Sequence, residues 1–424
     1  MEARLRSRHE KLVKSHMSVN SALTHGVKST LSEEVSFSQT QAAWRFFNNE
    51  NCTLKKLSEP LLEAASELSQ QECAQYCLVA HDWSHLGFNS HSDKVDTYNV
   101  FKKCIGYDLQ SSLLLSDKHG GPLAPLASNL KTKKELLSSY GSPRRNLTNL
   151  EELAERIKWI EGLALDKPRV HIVDREADSV ELFRKLKNSY WLIRVNGGHS
   201  AESDGVKKAI QKHSENLVYQ ESRSVLYKGK KATQLIAETK ISITRPAQPK
   251  KKDKNLKRVA PIPGEPVNVR LIVSKIVDKT GNELAIWYLL SNVKEDVLAA
   301  TLALWYYWRW SIESHFKLLK SAGMQLESWQ QKTPMALMRR LMVASMACVC
   351  VWRIANRKGP EATDLRKLLV RLSGRQMKWK VAFTHSALLA GLWSLINMQH
   401  LIEEIGVEGI KSQIKELQQC IGFV

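Results

Sequence analysis

Three apolar runs and one helical stretch, in a fixed order, constrain this chain more than any other feature. Residues 77–83 read CLVAHDW, an apolar run ending in Asp82 with turn residues after it. Residues 111–117, SSLLLSD, form a second strand candidate. A helical pattern follows at 149–163, NLEELAERIKWIEGL, and then a third strand, RVHIVDREAD, whose apolar part ends at Asp174. Strand, strand, helix, strand, with acids at strand ends, is an α/β pattern. From about Tyr190 to Val293 the period changes to two: YWLIRVN, TQLIAETKISI, VNVRLIVSKIV and ELAIWYLLSNV all read as strands. Between the second and third of these lies RPAQPKKKDKNLKRVAPIPG, with seven basic residues and one acid from Arg245 to Arg258 and prolines on both sides. It reads as a loop, either a solvated tip or an arm whose Lys250, Lys251 and Lys252 touch phosphate.

The segment YYWRWSIESHFKLLKS, 306–321, carries the densest chemistry. On a helix advancing about 100° per residue, Tyr306, Arg309, Glu313 and Lys320 fall within an arc of roughly 60°. Leu304, Trp305, Trp308, Ile312, Phe316 and Leu319 make the rest mostly apolar, so the expectation is a largely buried helix with one narrow charged stripe. Buried charge needs a partner. An internal Arg309–Glu313 pair would satisfy it, and so would an ionic ligand.

Charge narrows the choice of ligand. With 63 Lys and Arg against 43 Asp and Glu the chain carries +20, which favours a polyanion, nucleic acid before acidic membrane. The N-terminus, MEARLRSRHEKLVKSH, is charged and lacks the apolar core of a signal peptide, and the run Leu341–Trp352 is too short to span a bilayer. The seven cysteines show no zinc spacing and read as reduced thiols. A cytoplasmic, nucleoid-associated protein without a membrane partner is expected. Carboxylates at two strand ends and on a helix can hold hard divalent cations, and Mg²⁺ keeps room for waters and substrate phosphate. Such an arrangement suits in-line transfer of nucleic-acid phosphodiesters.

Tyr306-x2-Arg309-x3-Glu313-x6-Lys320 resembles the Y-R-E-K signature of DDE transposases of the insertion-sequence-four family. DREAD at 174–178 is similar to that family's second-acid motif, VAHDW to its first-acid strand, AIWYLLS to its last insertion strand, and AAWRFFNN to part of its N-terminal region. The resemblance covers roughly residues 35 to 330. It implies an α/β, ribonuclease-H-like catalytic core (71–189 and 294–358) with a β-rich insertion (190–293). A helical N-terminal DNA-binding region (1–70) would precede it, and the helical C-terminal region (359–424), whose apolar faces suit dimerisation, would follow. Asp82, Asp174 and Glu313 would be catalytic and coordinate two Mg²⁺, with Mn²⁺ as substitute. Tyr306, Arg309 and Lys320 would grip DNA phosphate, Trp287 would stack on a flipped base, and Arg175 and Arg194 are further candidate DNA contacts. The implied activity is cut-and-paste transposition by a homodimer acting on double-stranded DNA, both inverted-repeat ends and target, through a hairpin intermediate. A domesticated, non-catalytic DNA-binding regulator and a ribonuclease-H-like nuclease without strand joining are the alternatives. Glu176 and Asp178 read as structural. His81 and Trp83, flanking Asp82, depart from the family's usual first-acid motif.

Overall fold

A computed structural model of the chain describes residues 2–17, 33–248, 259–320 and 323–421. Three helices open it: α1 (Ala3–Met17), α2 (Glu33–Asn48) and α3 (Leu54–Glu72). Then come β1 (Cys77–Gly87), β2 (Tyr98–Phe101), β3 (Cys104–Ser116), β4 (Pro122–Lys131), β5 (Glu135–Ser138), β6 (Gly141–Arg145), α4 (Asn149–Glu161) and β7 (Arg169–Val173). After these follow α5 (Val180–Lys185), β8 (Tyr190–Val195), β9 (Ser200–Ser203), β10 (Val206–Ala209), α6 (Ile210–Ser214), β11 (Gln220–Tyr227), β12 (Lys230–Ile243), β13 (Val267–Val277) and β14 (Glu283–Ser291). Five helices close the chain: α7 (Ala299–Trp308), α8 (Ser311–Leu319), α9 (Pro334–Asn356), α10 (Pro360–Leu372) and α11 (His385–Ile421).

The strands join into one sheet, ordered β10-β9-β12-β13-β14-β8-β7-β1-β3-β4-β5-β6, with β11 on β12 and β2 on β3. Its middle, β4-β3-β1-β7-β8, is the ribonuclease-H-like arrangement. β4, β3 and β1 pair antiparallel, while β7 runs parallel to β1 and β8 parallel to β7. Tyr190–Val195, the first strand of the stretch expected as insertion, pairs in parallel with β7. Period two could not reveal that pairing, because a core strand and an insertion strand share it. β4 went unread in the sequence because Pro122 and Pro125 argue against a strand interior. The structure accommodates Pro125 beside an irregularity in the register, where Ser112 faces Ala127 and Leu113 faces Pro125.

Helix α9 is the spine of the apolar core. Thr333 caps it and Pro334 starts it. By length and composition it could cross a membrane, but most of it is buried inside the fold, under α1, α2, α3 and α11. Its Arg339 donates to the carbonyls of Phe47 and Cys52, both at 2.8 Å, and so satisfies chain ends left open after α2. The first half of α11 also enters this core through Leu388, Leu389 and Trp393, whose indole donates to the His16 carbonyl at 2.7 Å. The 359–424 segment is thus built partly into the main body. Between α9 and α10 Gly359 takes φ 107°, a value L side chains resist.

One buried polar seam crosses the sheet beneath α4. Arg156 Nη1 donates to Ser112 Oγ at 3.1 Å, Ser112 Oγ lies 2.9 Å from His81 Nδ1, His81 Nε2 lies 2.8 Å from His171 Nδ1, and His171 Nε2 lies 2.9 Å from Glu161 Oε1. It ties β3, β1 and β7 to one helix.

Candidate active site

The register of the two parallel strands brings two acids together. Ala80 faces Ile172 across β1 and β7. Asp82 and Asp174 each lie two residues further on, so the period of two sets them on the same face as that pair, on neighbouring strands about 4.8 Å apart. Each spends one carboxylate oxygen on the backbone. Asp82 Oδ1 accepts from the Trp83 N–H and Asp174 Oδ1 from the Glu176 N–H, both at 2.9 Å. The second bond makes Asp174 the cap of a short 3₁₀ turn, Arg175–Ala177.

The third acid arrives from α8, in whose first turn Glu313 lies. The expected single helix over 306–321 is two helices, α7 and α8, meeting at Arg309 and Trp310. There the N–H groups of Trp310, Ile312 and Glu313 bond to carbonyls three residues back, a 3₁₀-like tightening. Gly120 braces the joint. Its φ of 69° and lack of a side chain admit the Trp308 ring, and its carbonyl accepts from Ser311 Oγ at 3.1 Å.

Arg309, 5 % exposed, gathers all three acids. Nη1 lies 3.1 Å from Asp82 Oδ2, and Nη2 lies 3.3 Å from Glu313 Oε1 and 3.8 Å from Asp174 Oδ2. Burial pushes the Asp82 carboxyl upward; Arg309 opposes this and Asp174 adds to it. Burial likewise raises Glu313, with Arg309 opposing and Asp82 reinforcing. Burial also works against the guanidinium charge, but Asp82, Tyr306, Asp174 and Glu313 outweigh it and hold Arg309 charged.

Tyr306 lies beside this cluster, buried, with its phenol raised first by burial and hydrogen-bonded to Arg194. Trp287 meets Tyr306 edge-on, ring centroids 5.7 Å apart, and is half-buried. Lys320 departs from the stripe. α8 ends at Leu319, and Lys320, no longer helical (ψ −122°), turns its ammonium to Glu327 at 3.2 Å and to the His85 carbonyl, three residues beyond Asp82. A wheel drawn through 320 extends a helix that has already ended. Arg175 is exposed. Lys250, Lys251 and Lys252 lie outside the described residues. Asp178 is structural, accepting from the Asn196 N–H at 2.8 Å and from His199 Nε2 at 2.6 Å. Glu176 is exposed, and its carboxyl is raised by desolvation and then by Asp174 and Asp82.

The segment also has a wet face that the expectation of a buried helix missed. Tyr307 is 53 % and Trp310 57 % exposed, on either side of Arg309. Tyr307, Trp310, Ser314 and Lys317 recur at +3, +4 and +3, and all four are exposed. That second stripe was present in the sequence, disguised by two aromatics.

Among the described residues no group of three or more His, Cys, Asp or Glu is arranged to hold a metal ion as it stands. The donor set nevertheless fits a hard divalent cation. Three carboxylates converge from three elements, and a guanidinium, itself a cation, stands between their oxygens.

Residues 147–350 match the family described as transposase DDE domain. That match spans Asp174 and Glu313 and supports a transposase function; domains of this kind generally use divalent metal ions. Asp82 lies before the matched stretch and joins the other two acids through the β1–β7 register. Among curated proteins none matches the sequence. Of solved structures, one similar to this chain is the piggyBac transposase synaptic complex with hairpin DNA, at 10 % identity and TM-score 0.37 over 98 % of this chain and 76 % of that one, too loose a likeness to bear on the site.

Proposed function

We propose that this chain is a metal-dependent DNA transposase of the insertion-sequence-four type, which excises an element at its inverted-repeat ends and joins it to target DNA. The meeting of Asp82, Asp174 and Glu313 at one guanidinium carries the reading. Two Mg²⁺ ions, or Mn²⁺ in their place, held by these three carboxylates would activate the attacking oxygen and stabilise the leaving one. The chain's own residues bind and orient the DNA. Arg309 can offer its planar fork to a backbone phosphate, with Tyr306 and Arg194 beside it. Trp287, which meets Tyr306 edge-on, would stack on a base displaced near the strand end in a hairpin route. Lys320 joins them only if it leaves Glu327. The +20 charge, with Lys250, Lys251 and Lys252 among its sources, would draw the duplex in.

A homodimer is supported by α11. After a kink at Gly406 (φ 70°), Val407, Ile414, Leu417 and Ile421 leave exposed apolar surface along it, a stripe suited to a second copy.

The test is a plasmid carrying the inverted repeats that flank the coding sequence, incubated with Mg²⁺. Asp82→Asn, Asp174→Asn and Glu313→Gln should each lower cleavage by more than about a thousandfold, beyond the 10–100-fold typical of losing an outer partner of a ligand, while binding in Ca²⁺ persists. Normal cutting by any of the three overturns the assignment. Nicks without joined products would favour the plain nuclease.

A further inference from the structure

Arg309 stands where a cation between the acids would stand. We propose that it is an exchangeable internal counter-ion: it excludes divalent cations from the three carboxylates until a DNA phosphate takes over its guanidinium. The proposal rests on the metal-dependent reading above and adds an order to it.

The oxygens decide the matter. Asp82 Oδ1 and Asp174 Oδ1 are engaged by backbone N–H groups. The other oxygen of each Asp, Oδ2, and Glu313 Oε1 are the atoms Arg309 approaches, at 3.1, 3.8 and 3.3 Å. A cation ligated through those oxygens would sit about 2.1 Å from each. That position and the guanidinium position exclude one another.

Charge makes the exclusion an exchange. Three part-buried carboxylates around one buried guanidinium are still net negative, and withdrawing Arg309 alone would leave three anions facing each other. Arg309 therefore leaves only if a cation arrives and if its own charge meets a new anion. A backbone phosphate is that anion, since it matches the fork in two parallel bonds. The backbone helps: Arg309 lies at the α7–α8 joint, not mid-helix, and exposed Tyr307 and Trp310 mark the open side from which DNA would reach it. Arg309 is thus a positioning residue for the acids when the chain is alone and a phosphate ligand once DNA is bound. Cation affinity and DNA affinity must then rise together, by the same factor.

Mn²⁺ binding to the full chain without DNA, read from the free-ion electron paramagnetic resonance signal, tests this. Arg309→Gln should bind Mn²⁺ at least about tenfold more tightly than the unsubstituted chain, and adding Asp82→Asn should abolish the gain. Equal affinity in the two, lowered in both by Asp82→Asn, overturns the exchange and leaves the metal site standing. No Asp82-dependent binding in either overturns both. Should Arg309→Gln not fold, the unsubstituted chain decides. Its Asp82-dependent Mn²⁺ affinity should rise at least about tenfold when duplex DNA is added, the rise being lost in Asp82→Asn, and an Asp82-dependent affinity that DNA leaves unchanged overturns the proposal.

Discussion

Strand β1 presents two neighbouring residues to opposite faces, and the faces solve the same problem differently. Asp82 joins a cluster of three carboxylates sharing one guanidinium, with two of the carboxyls raised by burial. His81, one residue earlier and fully buried, joins a chain of hydrogen bonds whose direction is forced. Glu161, whose carboxyl is held below the usual range, only accepts, so His171 Nε2 carries the hydrogen and its Nδ1 accepts from His81 Nε2. His81 Nδ1 then accepts from Ser112, whose oxygen accepts from Arg156, a group that only donates. Both ends of the chain belong to α4. The seam is satisfied without a ligand; the acid cluster is not. A face built for stability closes its polar account internally, whereas a face built for chemistry leaves charge unbalanced for something to complete.

The largest effect should come from breaking the closed face. Arg156 Nη2 donates to Glu152 Oε2 at 3.2 Å, with both side chains wholly buried, and Glu152 also accepts from Asn129 at 2.6 Å. Arg156→Met strands the Glu152 charge and should cost about 3–5 kcal/mol in urea unfolding, the usual result of removing one partner of a buried pair. A loss below about 1 kcal/mol would mean the seam is no better closed than the site opposite.

Acid should act next, and with opposite sign on the two faces. Burial lowers His81 well below its ordinary range and lowers His171 too, with Glu161 opposing in the latter. The folded chain keeps both neutral while the unfolded chain takes up protons below about pH 6.5, so their contribution is full above that pH and is lost as pH falls. Each should cost up to about 1.4 kcal/mol per pH unit below about 6. His9 and His385, lowered to about 4, and His16 and His315, lowered to about 3, pull the same way. The seam's share is the part of the slope that vanishes when His81 and His171 are both replaced by Gln. Chemical unfolding from pH 7 to 5 measures it, and an unchanged slope would show that the seam does not hold two neutral imidazoles.

How much of this was readable in advance follows the same division. Asp82 and Asp174 were visible because an apolar run ending in an acid is a local signal, and Arg309 and Glu313 because their spacing survives the joint between α7 and α8. Lys320 lies off the stripe because a wheel assumes a helix that stops at Leu319. The seam was invisible: His81, Ser112, Arg156 and His171 meet only through strand pairing and the packing of α4, which no period encodes. His81 registered in the sequence only as a departure from a motif, although it anchors the back of the strand that carries the first acid. The pairing of Tyr190–Val195 with β7 was out of reach for a related reason, since parallel pairing is a long-range fact.

The smallest effect is the most discriminating. Asp82 and Glu313 have raised carboxyls, so the folded state binds their protons more tightly than the unfolded state does. Their stabilising contribution is present at low pH and is lost as pH rises through their raised folded-state titration, the reverse of the histidine seam. At pH 7 an ionised Asp82 therefore opposes folding. Asp82→Asn removes that charge, leaves Arg309 two carboxylates, and should raise stability slightly, by about 0.5–1 kcal/mol, while removing cleavage. Thermal unfolding at pH 7 and again at pH 4.5 checks both parts, since the gain should shrink at the lower pH as Asp82 takes up its proton. A variant that melts well below the unsubstituted chain would make the Asp82–Arg309 contact a structural pair, and the two faces of β1 would then be alike.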